Sequence, residues 1–260
     1  MRKILIGFFL LGTFSLPGQS TSSGADLLTD VVQAYTNAKR CLFVGKGTIE
    51  SPTLRGRKST EFTIAVELPD KMRLEGDASN FGMRGVFPGP ATFVADGAVS
   101  WFYHHAGKKY YRIPRSSPQG AVGIFENRYP EPDRPEQTVA YFNFFITAGY
   151  QSLADKKRVT EIKGMETLSR NSQKIECFVV QSDRGLYAEK KIGSQRDTLW
   201  VDSHKPVIWR QDTSTWLNNG LAHSRTDYAT VIIDDPLPND TFVFTPPNGS
   251  KETPVPAKGR

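Results

Sequence analysis

Alternating apolar and polar positions dominate the chain, and a 3.6-residue period appears in only two stretches. The first is 26–40, DLLTDVVQAYTNAKR, where Leu27, Leu28, Val31, Val32, Tyr35 and Ala38 form one stripe. Asp26 and Asp30 near its start and Lys39-Arg40 at its end suit the helix dipole. This predicts an amphipathic helix resting on an apolar surface. Strands follow from Leu42 to Glu50 and then over 61–67, where Phe62, Ile64 and Val66 alternate with charged or polar neighbours. Leu68-Pro69-Asp70-Lys71 predicts a turn, and Met72 and Leu74 carry the apolar face into the next strand. Phe87-Pro88-Gly89-Pro90 interrupts the sheet, and Ala91–Val94 resumes it.

Asp96-Gly97 is a tight-turn signal leading into the most aromatic strand, Val99–His104. Parity puts Val99, Trp101 and Tyr103 on one side and Ser100, Phe102 and His104 on the other. So many rings fit two arrangements. Either both faces of the strand are covered, or one apolar face is kept for a ligand.

After Lys109–Ile113 a proline-rich connection, about 114–135, leads to a second helical pattern over 135–154. A link that long reads as a lid or a mobile loop. Asp133, Pro135 and Glu136 provide a start signal. Val139, Phe142, Phe145, Ile146 and Tyr150, with Tyr141 and Phe144 round the side, make the helix apolar over a wide girth. Strands are then expected over 159–168, 174–182, 197–201, 207–216 and 222–233, with a last short one at Phe242 and Phe244. No repeat, low-complexity block or composition shift marks a second domain. The pattern predicts a mainly β, α+β chain: one twisted antiparallel sheet of about ten strands with two or three helices on one face.

Met1-Arg2-Lys3 followed by ILIGFFLLGTFSL has the form of a Sec signal peptide, too short to span a bilayer as a helix. The expected division is a signal peptide over 1–25, one domain over 26–247 and a flexible polar tail over 248–260, with export to the periplasm. Losing Arg2 and Lys3 takes the formal net charge from +6 to +4. Lys156-Lys157-Arg158 and Glu189-Lys190-Lys191 read as solvated charge runs. No nucleic-acid motif is present. Cys41 and Cys177 are either one disulfide of an exported protein or two buried thiols.

Catalytic signals are sparse. Four histidines, His104, His105, His204 and His223, show no metal-ligand spacing, and no nucleophile elbow, HExxH, P-loop or dinucleotide fingerprint occurs. The expectation is a non-enzyme without cofactor or metal.

VADGAVSWFYHH (94–105), DTLWVDSHKPVIWRQD (197–212) and PLPNDTFVFTPPNGSKE (236–252), in this order after an amphipathic helix and an LPDK hairpin turn, resemble the LolA-like lipoprotein-carrier superfamily, with LolB and RseB as relatives. The resemblance runs from about Asp26 to Lys251. It implies an unclosed β half-barrel whose concave apolar face is covered by helices and holds acyl chains of a lipid or lipoprotein. The implied protein is a monomeric periplasmic carrier working with inner- and outer-membrane transfer proteins. A sensor or scaffold of the same fold that binds a protein partner, as RseB does, and an exported hydrolase are the competing functions. In the enterobacterial carriers an arginine before the turn proline closes the lid; here that position is Leu68. Parity and the resemblance together nominate Ile64, Val66, Met72, Leu74, Val99, Trp101 and Tyr103, with Phe142 and Phe145 from the lid, as the cavity lining.

Overall fold

The computed structural model describes residues 23–54, 56–77, 90–114, 150–155, 157–185 and 193–254. The expected signal peptide, the proline-rich link and most of the second helix, including Phe142 and Phe145, lie outside the described residues. So does the Glu189-Lys190-Lys191 run.

The first helix, α1 (Gly24–Asn37), starts two residues before the predicted stretch. Ser23 and Asp26 form a reciprocal capping box that satisfies two of the helix's free N–H groups. Its end differs from expectation, because no basic residue lies in the last turn. The chain instead reverses at Ala38, and the Asp234 carboxylate accepts the backbone N–H of Lys39 at 2.8 Å and of Arg40 at 3.3 Å. That contact joins the start of the sheet to its far end in sequence.

Six strands follow: β1 (Arg40–Glu50), β2 (Lys58–Glu67), β3 (Lys71–Asp77), β4 (Pro90–Asp96), β5 (Val99–His104) and β6 (Lys109–Pro114). A short 3-10 turn at Ser152–Ala154 precedes β7 (Val159–Arg170), β8 (Gln173–Arg184), β9 (Gln195–Asp202), β10 (Ile208–Leu217) and β11 (Gly220–Ile233). The last strand is β12 (Lys251–Glu252). All twelve belong to one sheet in the order β12-β6-β5-β4-β3-β2-β1-β11-β10-β9-β8-β7. Every pairing is antiparallel except β12 with β6. The two end strands do not meet, so the sheet is an open half-barrel, mainly β as the alternation predicted.

Two meanders, β1 to β6 and β7 to β11, meet where β1 pairs with β11. This seam carries a bulge at Val44/Gly45. A side chain at Gly45 would lie 2.5 Å from the Asp227 carbonyl oxygen and 2.9 Å from the Phe62 ring, so only glycine fits. A second bulge between Ile208 and Arg210 bends β10. There the Tyr35 hydroxyl of α1 accepts the Ile208 N–H at 2.9 Å and ties the helix to the sheet.

The main core lies on the concave side. It gathers Leu28, Val31, Val32 and Tyr35 of α1 with inward residues of the sheet from Ile113 on β6 to Val180 on β8. A smaller core lies on the convex side, built from Leu168, Cys177, Val179 and Trp200. The long β7–β8 hairpin turns across that side: Arg170 and Asn171 at its tip bond to the β11 backbone at Tyr228 and Ala229.

Three details differ from the pattern reading. Phe242 and Phe244 belong to no strand. The segment expected as a loose tail is tied to the sheet as far as Thr253, with Lys251 N donating to Lys108 O and Thr253 N to Tyr110 O. And no disulfide forms: Cys41 and Cys177 are both buried free thiols. They sit in separate cores. Strands β11, β10 and β9 intervene, which makes four strand spacings of about 4.8 Å, well past the Cα separation that a disulfide bridges.

Burial raises both thiol pKa values, to about 12 for Cys41 and about 11 for Cys177. Both should therefore resist alkylation in the folded protein at neutral pH. Without any reductant, two thiols per chain should label once the chain is denatured. Fewer than two would contradict the arrangement.

Candidate functional site

The concave lining is built by parity. In β2 and β3 the even positions face inward, so Ile64, Val66, Met72 and Leu74 lie on the apolar wall. Val66 is 2 % exposed, Met72 0 % and Leu74 4 %. Across the next rungs Leu74 pairs with Phe93, Phe93 with Phe102, and Phe102 with Tyr111. The far half contributes Val180, Leu199, Val201, Ile208 and Tyr228. With Ile162 of β7 packed beside them, eleven strands feed one continuous apolar lining.

The aromatic strand is the correction. Ser100 and Phe102 point into the concave side, and Ser100 lies opposite Ile113. Val99, Trp101 and Tyr103 therefore lie on the convex face, opposite Met72 and Leu74. Ser100 is polar yet only 1 % exposed, so polarity does not mark the outer face of this strand. The convex rings are covered from within the chain. Phe244 stacks on Trp101 with centroids 6.0 Å apart and meets Tyr103 and Tyr110 at 6.5 and 5.7 Å. Arg73 Nη1 holds the same segment by donating to the carbonyls of Thr241 and Val243. Of the two arrangements the sequence left open, the strand adopts the one with both faces covered.

Three tyrosines from distant parts of the chain occupy the centre of the concave side. The Tyr150 and Tyr228 hydroxyls are 2.9 Å apart, and the Tyr35 ring meets that of Tyr150 edge-on at 4.5 Å. Phe43 and Phe62 complete the cluster against Tyr228. Burial raises the pKa of all three phenols, Tyr35 and Tyr150 most strongly. No sequence signal united these residues, because they lie on α1, before the 3-10 turn and on β11.

The second feature that pattern reading missed is a buried ion pair. Arg158, read as part of a solvated run, has a side chain 1 % exposed and lies 2.8 Å from the fully buried Asp197 carboxylate. A charged triplet followed by a strand start gives no hint that its third member turns inward.

Other candidates stay separate. Thr92 bonds His105 at 3.0 Å, His104 accepts the Gly107 N–H, and Asp202 caps its own turn by accepting from His204 N and Lys205 N. Leu68 stands 38 % exposed at the β2–β3 turn. Among the described residues no cluster of His, Cys, Asp and Glu is arranged to hold a metal, and no helix is long and apolar enough to cross a membrane. Two open grooves lie on the convex side. One, of about 530 Å³, is lined by Lys46, Glu61, Glu75, Arg170 and Asp227 together with Phe62 and Tyr228; the other, of about 410 Å³, runs beside Phe244.

Two outcomes test this layout. Trp101→Ala should lower unfolding stability by about 2 kcal/mol, less than a fully buried tryptophan would cost. It should also speed amide exchange at Thr241 and Val243; an unchanged melting temperature would contradict the packing of the C-terminal segment. The tyrosines give a pH dependence. A phenol whose pKa is raised by folding contributes stability that is complete below its unfolded value of 10.0 and is lost as pH rises beyond it. Phenolate absorbance should thus lag in the folded protein above pH 10 and appear together with loss of near-ultraviolet circular dichroism.

Neither a protein-family model nor a curated protein matches the sequence. Solved structures similar to the chain include LprF from Mycobacterium bovis, at 12 % identity and TM-score 0.47, covering 88 % of this chain and 97 % of that one. The LolA superfamily protein NE2245 from Nitrosomonas europaea is 11 % identical at TM-score 0.28, over 86 % and 99 %. The MucA/MucB complex of Pseudomonas aeruginosa gives 12 % identity and TM-score 0.40, over 85 % of this chain and 61 % of that one. Each likeness lies below a TM-score of 0.5, so the fold is read from its own sheet order and helix placement. That architecture, an open antiparallel half-barrel with a helix against its concave face, is the fold class the sequence led us to expect.

Proposed function

We propose that the protein is a periplasmic carrier that holds acyl chains of a lipid or lipoprotein against the concave lining and passes them between envelope membranes. The observation that carries this reading is the extent of that lining. Eleven strands contribute to it, while α1 has 14 residues. At about 1.5 Å per residue such a helix is about 21 Å long. Eleven strands at about 4.8 Å span far more. An extended apolar wall with few polar groups matches a string of methylenes better than any compact polar substrate. Each methylene moved from water is worth about 0.8 kcal/mol, so a dozen give ample affinity after ordering costs. Ile64, Val66, Met72 and Leu74 are the wall residues assigned to contact the chain, and the second helical pattern, with Phe142 and Phe145, is assigned the lid. Val99, Trp101 and Tyr103 leave the cargo list because they lie on the other face.

Native mass spectrometry of protein taken from an envelope fraction should find an acyl-bearing molecule bound one to one. The delipidated protein should then bind a fluorescent fatty acid, and Trp101→Ala should bind it as well as the wild type. Protein that carries no lipid and takes up no fatty acid would overturn the reading.

A further inference from the structure

The buried Arg158 is only partly bonded. Its Nε donates to the Ser152 carbonyl at 2.7 Å. Its Nη1 donates to Ser182 O and Oγ at 3.2 and 3.1 Å and to Asp197 Oδ2 at 2.8 Å. Nη2 is buried and has no hydrogen-bond partner in the protein. Asp197 has little to offer it. Its two oxygens also accept from Gln195 Nε2, Gln211 Nε2 and Thr213 Oγ1. A guanidinium carries five donors, and a buried one left open is costly unless something else accepts it.

Its surroundings narrow the choice of acceptor. Ser182 lies two residues beyond Val180 on β8, and Asp197 two residues before Leu199 on β9, so each shares the concave face with its apolar neighbour. Leu153, next to Ser152, belongs to the same core. The guanidinium thus stands at one end of the apolar lining. The formal charges of Arg158 and Asp197 cancel, so the site offers a donor without net charge. A carboxylate or phosphate placed there would bring an unpaired negative charge beside Asp197 at low dielectric. A neutral carbonyl oxygen would not.

We propose that Arg158 Nη2 is the polar anchor of the cavity, donating to the carbonyl oxygen of an ester- or amide-linked acyl chain whose methylenes run past Val180 and Leu199. Arg158 and Asp197 then fix which end of the chain lies at β8–β9. The proposal rests on the reading of the lining as an acyl cavity and adds the chemical class of the group at its end.

The test compares methyl palmitate with methyl hexadecyl ether, which has the same reach but no carbonyl, by displacement of the neutral probe N-phenyl-naphthylamine from the full mature chain. The ester should compete at a concentration lower by on the order of tenfold to a hundredfold, the range for a hydrogen bond from a charged donor. Palmitate anion should not compete better than the ester. Arg158→Lys, which keeps the charge facing Asp197 but loses the second nitrogen, should bring ester and ether together. The ester carbonyl carbon resonance of labelled ligand should move on binding the wild type and not the variant. If the variant does not fold, the wild-type comparison still decides. Equal binding of ester and ether overturns the role of Arg158 and leaves the acyl cavity standing. Failure of both to displace the probe overturns the two together. Tighter binding of the anion overturns the argument from charge.

Discussion

An antiparallel sheet that does not close must satisfy two faces and two edges from a single chain, and the other features of this protein answer that demand. Inside the curve, α1 is fixed by packing and by the Tyr35 hydroxyl on the Ile208 N–H, at the point where a bulge bends β10. Outside it, the β7–β8 hairpin and the segment before β12 each fold back over the sheet. At one edge β12 lies parallel to β6 and occupies part of its free backbone groups. The segment up to Thr253 therefore covers one edge of the sheet, with Thr253 N donating to Tyr110 O.

Strands were legible because alternation is a local property. Ile64, Val66, Met72 and Leu74 could be set on one face from their charged neighbours alone, and the β2–β3 register agrees. The aromatic strand was harder for a physical reason. Once both faces are covered, polarity no longer reports which face is inside. Ser100, small and buried, faces the core, whereas Trp101 faces a segment more than a hundred residues away. No rule of spacing brings Phe244 to Trp101. The cysteines illustrate the same gap: a pair of cysteines permits a disulfide, but only strand order puts Cys41 and Cys177 in different cores.

Arg158 shows how charge can mislead. In sequence it ends a basic run, and most such runs are solvated. In the fold its side chain is buried because Asp197, Ser182 and the Ser152 carbonyl together replace much of its water. Replacing such a pair with apolar groups often stabilises a protein, so its presence is weak evidence for a structural purpose. What the protein leaves unaccounted for is the second guanidinium nitrogen, buried without a partner.

A purely apolar half-barrel would bind alkyl chains without direction, since the hydrophobic effect scales with area and is indifferent to which end enters first. Orientation requires one group that can be satisfied in only one pose. A donor whose charge is balanced by a neighbour does this without trapping the cargo, because its one hydrogen bond adds less to the total affinity than the methylenes do. A full counter-charge would hold the head group far more strongly and slow its departure. In the carrier proposed above, which would have to release what it binds, an arginine already neutralised by an aspartate is the better end to the lining than a free one.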